Sequence, residues 1–183
     1  RITLDDEVRR ALGVVLDQLS PAERAAFLLH DVFGIGYEQI GALVGRTPAA
    51  CRQLASRARR SIRHGEPSAV RGSPDPELQA VAESFVAACA GGDLKALAEL
   101  LHGEVSGWAT VDGRRIGFAK GVDPVARRLL FFLGPRSGCA LSLLPLDDGM
   151  AVVATRHGEP ALMVRLGVSD GRLRSLHAVL LPA

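Results

Sequence analysis

One break constrains the fold of this chain most. The run Gly45-Arg46-Thr47-Pro48 separates two short segments that each carry an apolar stripe at helical spacing. Before it, Tyr37 to Val44 puts Ile40, Leu43 and Val44 on one face. Gly45 predicts a stop, because glycine enters the left-handed conformation at little cost. Thr47 predicts an N-cap, and Pro48 suits a first helical position. After it, Cys51, Leu54, Ala55, Ala58 and Ile62 recur at offsets of three and four. The opposite face holds Arg52, Gln53, Ser56, Arg57, Arg59, Arg60 and Arg63, and no acid lies between Glu38 and Glu66. Two helices joined this tightly form a helix-turn-helix, whose second helix enters the DNA major groove. Arg52, Gln53, Ser56 and Arg57 are the candidates for base or adjacent phosphate contacts. Arg46, Arg59, Arg60 and Arg63 are candidates for phosphate contacts, and Thr47 is a further DNA-binding candidate. The competing reading is a solvated basic face on an ordinary helical hairpin.

Two helices are expected upstream. Leu4, Val8, Leu12, Val15, Leu16 and Leu19 form one stripe over residues 4–19. Ser20-Pro21 then opens a second helix, and Glu23 completes a capping-box spacing. Ala25, Leu28, Leu29, Val32 and Phe33 supply its buried face, with His30 beside them in a structural or solvated role. A four-helix module over residues 1–64 results. Residues 1–72 hold 11 basic and 8 acidic side chains, whereas residues 73–183 hold 11 and 12. Only the first part therefore has a basic stripe suited to a polyanion.

Residues 65–75, rich in glycine, proline and serine, read as a linker. Residues 76–183 change period. Helices are expected from Asp75-Pro76 to Gly91, over Leu94 to Leu101, and over Val125 to Leu133. Strands are expected over about 104–111, then to Lys120 beyond an Asp112-Gly113 hairpin, then over 138–145, 150–156, 161–168 and 172–180. That order predicts an α+β domain, three helices on a curved antiparallel sheet.

Two resemblances follow. LSPAERAAFLLHDVFGIGYEQIGALVGRTPAACRQLASRARRSIR, from Leu19 to Arg63, is similar to region 4 of extracytoplasmic-function sigma factors nearly throughout. This implies recognition of the promoter −35 element and of core RNA polymerase. The element order from 76 on, with its GDLKALAELL segment, resembles the SnoaL-like cone fold of polyketide cyclases and ketosteroid isomerases. One group of these sigma factors carries such a domain, which is thought to regulate the factor. Here the first hairpin, Asp112-Gly113-Arg114-Arg115, is shorter than in that group, and Leu181-Pro182-Ala183 replaces an asparagine-proline-aspartate segment. Region 2 of such a factor would precede Arg1, so the chain is expected to be a fragment. The function expected is that of an alternative sigma factor regulated by its SnoaL-like domain, with docking between the two domains as a further expectation. The alternatives are a one-component ligand-sensing regulator and a cyclase or isomerase with a helical appendage.

Cys51, Cys89 and Cys139 are odd in number and lack metal-ligand spacing, so neither zinc nor any cofactor is expected. Reduced thiols fit the cytoplasm. No apolar run suggests a membrane span. Phe85, Trp108, Asp112, Phe118, Met163, Arg165 and His177 are the candidates for a pocket or regulatory site in the cone. They offer no paired acid and base, and no enzymatic activity is expected.

Overall fold

The computed structural model describes residues 16, 18–64, 75–111, 114–147 and 149–181. The expected helix over 4–19 and the linker therefore fall almost wholly outside the described residues. Helix α1 spans Pro21–Phe27 and continues as a π-turn over Leu28–Val32. The capping box at its start is present: the Glu23 amide donates to Ser20 Oγ (3.3 Å), and the Ser20 amide to Glu23 Oε2 (3.2 Å). The π-turn corrects one expectation. Its wider ring, closed by Phe33 N–H to Leu28 O, rotates the last turn, so Val32 is 57% exposed, while Ala25 and Leu29 are buried as expected.

Helix α2 (Tyr37–Val44) and helix α3 (Pro48–His64) follow as the sequence predicts. Beyond the linker come α4 (Pro76–Gly91), α5 (Leu94–Leu100), β1 (Leu101–Val111), β2 (Arg114–Lys120), α6 (Val122–Leu133), a short 3-10 turn (Pro135–Ser137), β3 (Ala140–Leu146), β4 (Gly149–Arg156), β5 (Glu159–Ser169) and β6 (Arg172–Leu180). The six strands form one sheet in the order β2-β1-β6-β5-β4-β3. It departs from the expected all-antiparallel sheet at one pairing, because β1 and β6 run parallel. The long crossover through α6 and β3 to β5 brings the chain back in the direction of β1.

Alternation along the strands gives the sheet two apolar faces. Met150, Val152, Ala154, Leu162, Val164, Leu166 and Leu176 face α4, α5 and α6, with Phe85, Leu97 and Leu133 filling the space between. Leu144, Leu146, Ala151, Val153, Met163 and Val179 face the other way. There they form one core with Ala25, Leu29, Ile35, Ile40 and Leu43 of the helical module. Met163, Ile40 and Leu43 are fully buried in this second core.

Leu43→Ala should cost about 2–5 kcal/mol, because it opens a cavity at a fully buried site. Urea unfolding of wild type and variant checks this.

Candidate nucleic-acid interface

The turn between α2 and α3 is built from backbone requirements. Gly45 sits at φ +69°, in the left-handed region. Gly41 is needed for a different reason: a Cβ there would lie 2.5 Å from the Arg46 carbonyl oxygen. The chain folds back so closely over α2 that no side chain fits. Thr47 Oγ1 accepts the Ala50 amide (3.2 Å) and caps α3 as expected, which commits the hydroxyl named as a backbone-contact candidate.

Cys51, Ala55 and Ala58 are fully buried, while Leu54 and Ile62 are half-buried along the same seam. That seam holds α3 against α1 and α2. Arg52, Gln53, Ser56, Arg57, Arg60 and Arg63 are exposed on the opposite face.

Two arginines of this set are engaged by carboxylates that the local sequence does not reveal. Arg59 Nη1 donates to both oxygens of Asp31 (2.8 and 2.9 Å). A hydrogen bond with Tyr37 and then the Asp31 pair push its pKa up, so it stays charged. Arg46 Nη2 donates to Asp147 Oδ2 at 2.5 Å, across to the β3–β4 connection. No carboxylate within residues 39–65 reaches these arginines, so the local expectation stands, and the two ion pairs come from outside that stretch. Both partners are remote in sequence and arrive through tertiary packing. Arg52 instead lies 5.3 Å from the centre of the Tyr37 ring, which stacks on His30 at 4.0 Å. His30 Nδ1 is 2.9 Å from the Ile35 carbonyl oxygen, a structural role as expected.

The helical module and the cone meet at this same turn. Asp147 Oδ1 also accepts the Ala22 amide (3.0 Å), and Arg165 Nη1 donates to the Leu43 carbonyl (3.2 Å).

The candidates in the cone divide between the two faces of the sheet, and Trp108, Arg165 and His177 adjoin on the outer one. Phe85 is wholly inside the core between helices and sheet. Met163 is buried beneath the module, on the outer face of the sheet. Arg165 pairs with His177, and His177 with Trp108, across neighbouring strands on that outer face. Trp108 stacks on His177 (5.2 Å), Arg115 lies over Trp108 (4.9 Å), and Thr110 Oγ1 is 2.8 Å from His177 Nε2. His177 shares its face with Val179 but not with Leu173, which is fully buried in the inner core; the β5–β6 register shifts near there. Asp112 lies outside the described residues. Phe118 is known only by its strand position opposite Trp108.

The inner face holds a separate cavity of about 400 Å³, walled by β1, β2, β5, β6 and α6. Trp108 borders it, and so do Phe131 and Phe132 of α6, aromatic residues that the sequence also offers as pocket lining. Arg128, on its rim, was missed: an arginine among apolar residues of an amphipathic helix reads as solvated. Among the described residues no group of His, Cys, Asp and Glu could hold a metal ion, and no helix is long and apolar enough to cross a membrane. Cys51, Cys89 and Cys139 are free, and burial pushes the Cys89 thiol up to about 12.

The geometry so far defines a helix-turn-helix module fixed to the outer face of an α+β cone. Comparison with known proteins narrows this. Residues 9–62 match the family described as Sigma-70, region 4. The chain is 36% identical, over its whole length, to the probable ECF RNA polymerase sigma factor SigI of Mycobacterium tuberculosis, of which it covers 61%. It is 37% identical over 128 residues to ECF RNA polymerase sigma factor SigJ of the same organism, covering 68% of this chain and 41% of SigJ. The crystal structure of that SigJ aligns with a TM-score of 0.48 at 29% identity, over 92% of this chain and 61% of the other. The chain thus spans about 61% of the length of the SigI it matches, and its region 4 match lies within the helical module.

Burial, then the charges of Arg165 and Arg115, hold His177 below its ordinary value of 6.5. The folded protein thus prefers neutral His177. Its contribution to stability is present above the unfolded value and is lost as pH falls from about 6.5 toward the lower folded one. His177→Gln should flatten the pH dependence of thermal unfolding in that window.

Proposed function

We propose that this chain is the promoter-recognition and regulatory part of an alternative sigma factor, acting in the cytoplasm with core RNA polymerase. Helix α3 reads the −35 element. The observation that carries this reading is the division of α3 into a buried seam at Cys51, Ala55 and Ala58 and an exposed face bearing Arg52, Gln53, Arg57, Arg60 and Arg63. The seam fixes the helix as a rod, and the arginines are left facing outward to meet phosphate and base edges. Residues 1–64 act as the DNA-binding unit and 76–183 as the regulatory one. Arg59, pinned to Asp31, shapes the surface more than it reaches DNA.

The cone acts as a regulator and not as an enzyme. Among the described residues its cavity is bordered by one arginine and otherwise by glycine and apolar or aromatic residues, with no carboxylate, imidazole or thiol of theirs to move a proton. Its docked position bears on the module directly. Asp147 occupies the guanidinium of Arg46, the first basic residue at the start of the reading helix, and so competes with a phosphate for it.

Arg57→Ala should weaken binding to a −35 duplex by about 1–3 kcal/mol if the side chain meets a guanine. Fluorescence anisotropy on cognate and scrambled duplexes checks this, and an equal loss on both would demote Arg57 to a phosphate contact. Asp147→Ala should tighten duplex binding by a few-fold, the scale of a part-exposed ion pair worth about 0.2–1 kcal/mol. Unchanged affinity would remove the competition.

A further inference from the structure

The inner cavity of the cone differs from the rest of the core in being incompletely filled. It lies between α6 and the inner face of β1, β2, β5 and β6, and small residues there, Gly107, Ala109 and Ala178, leave the space. Its volume of about 400 Å³ is in the range of small-molecule sites. Its mouth is apolar as well: Phe131 is 76% exposed, Ile116 44% and Phe132 41%. Three large apolar side chains around one opening are costly to leave in water.

One charged residue borders the cavity. Arg128, on α6, is exposed, and none of the described residues forms an ion pair or hydrogen bond with it. Its guanidinium lies at the rim, against β2. Gly117 has φ +58°, and a Cβ there would lie 3.1 Å from Arg128 Nη1. The glycine therefore lets the guanidinium lie against the strand. An apolar chamber with a cation at its lip matches a ligand with an apolar body and one anionic end.

We propose that this cavity binds an amphipathic organic acid, its carboxylate on Arg128 and its hydrocarbon body against Leu129, Val164 and Leu176. Nothing in the DNA-reading proposal is required for this. No bond is made or broken; the site holds its ligand.

The test is calorimetric titration of the full chain with decanoate and with decanol, each below its micelle or solubility limit. Decanoate should bind about tenfold tighter than decanol, the size of one charge-assisted contact. Arg128→Gln, an exposed change that leaves the core intact, should erase that preference while decanol binding persists. Ala178→Phe, which fills the chamber, should abolish both, with circular dichroism confirming that the fold is kept. Equal affinity for acid and alcohol in the wild type, no binding of either, or an unchanged preference in Arg128→Gln would each overturn the proposal. Sedimentation velocity closes the remaining route: a dimer that hides Phe131 and excludes decanoate would also overturn it.

Discussion

Apolar contact between the sheet's outer face and the helical module is the interaction on which the rest of this structure depends. It exists because β3 to β6 alternate apolar residues on both sides instead of presenting one wet face. Met163 and Val179 project toward α2, while their neighbours Leu162, Val164 and Leu180 project toward the cone interior. A sheet with two greasy sides must be covered twice, and the helix-turn-helix supplies the second cover. Polar bonds fix the placement of this contact. Arg46–Asp147 and Arg165–Leu43 set where the turn sits on an association driven by burial.

Much of this was legible from residue pattern alone. The cap at Thr47, the stop at Gly45, the inward seam of α3 and the capping box at Ser20 all follow from local chemistry, and local chemistry is what a sequence displays. The strands of the cone were also visible, because turn residues and alternation mark them directly. Sequence patterns did not disclose pairing between distant positions. Asp31 and Asp147 have nothing in their own surroundings that points to Arg59 or Arg46. The parallel β1–β6 pairing was hidden for the same reason, since topology links residues about seventy positions apart by register. Val32 shows a subtler limit: one widened turn rotates a helix face, and a fixed period cannot anticipate it.

The pocket candidates illustrate the same division. Strand alternation suggests a place inside the cone for Met163, Arg165 and His177, with His177 on the face of Leu173 and Val179 and Arg165 on that of Met163. They do alternate, but onto the side that meets the module or lies beside it. Period two tells which residues share a side and not which side is the interior. Gly41 carried a signal that helix propensity alone treats as a weakness. A glycine inside an eight-residue helix is worth a search for a close backbone crossing, and here the Arg46 carbonyl supplies it.

The two flanks of the sheet bear on self-association. With helices lying over β3 to β6 on one side and α4 to α6 on the other, little broad surface is left on those strands for a neighbouring molecule to stack upon. What remains are the borders, β2 and β3. Arg114, Arg115 and Lys120 line the first, and Pro145, which lacks an amide hydrogen, interrupts the second. Cationic repulsion on one border and a missing donor on the other discourage the chain from adding further strands end to end, and so guard a crowded cell against fibrous growth.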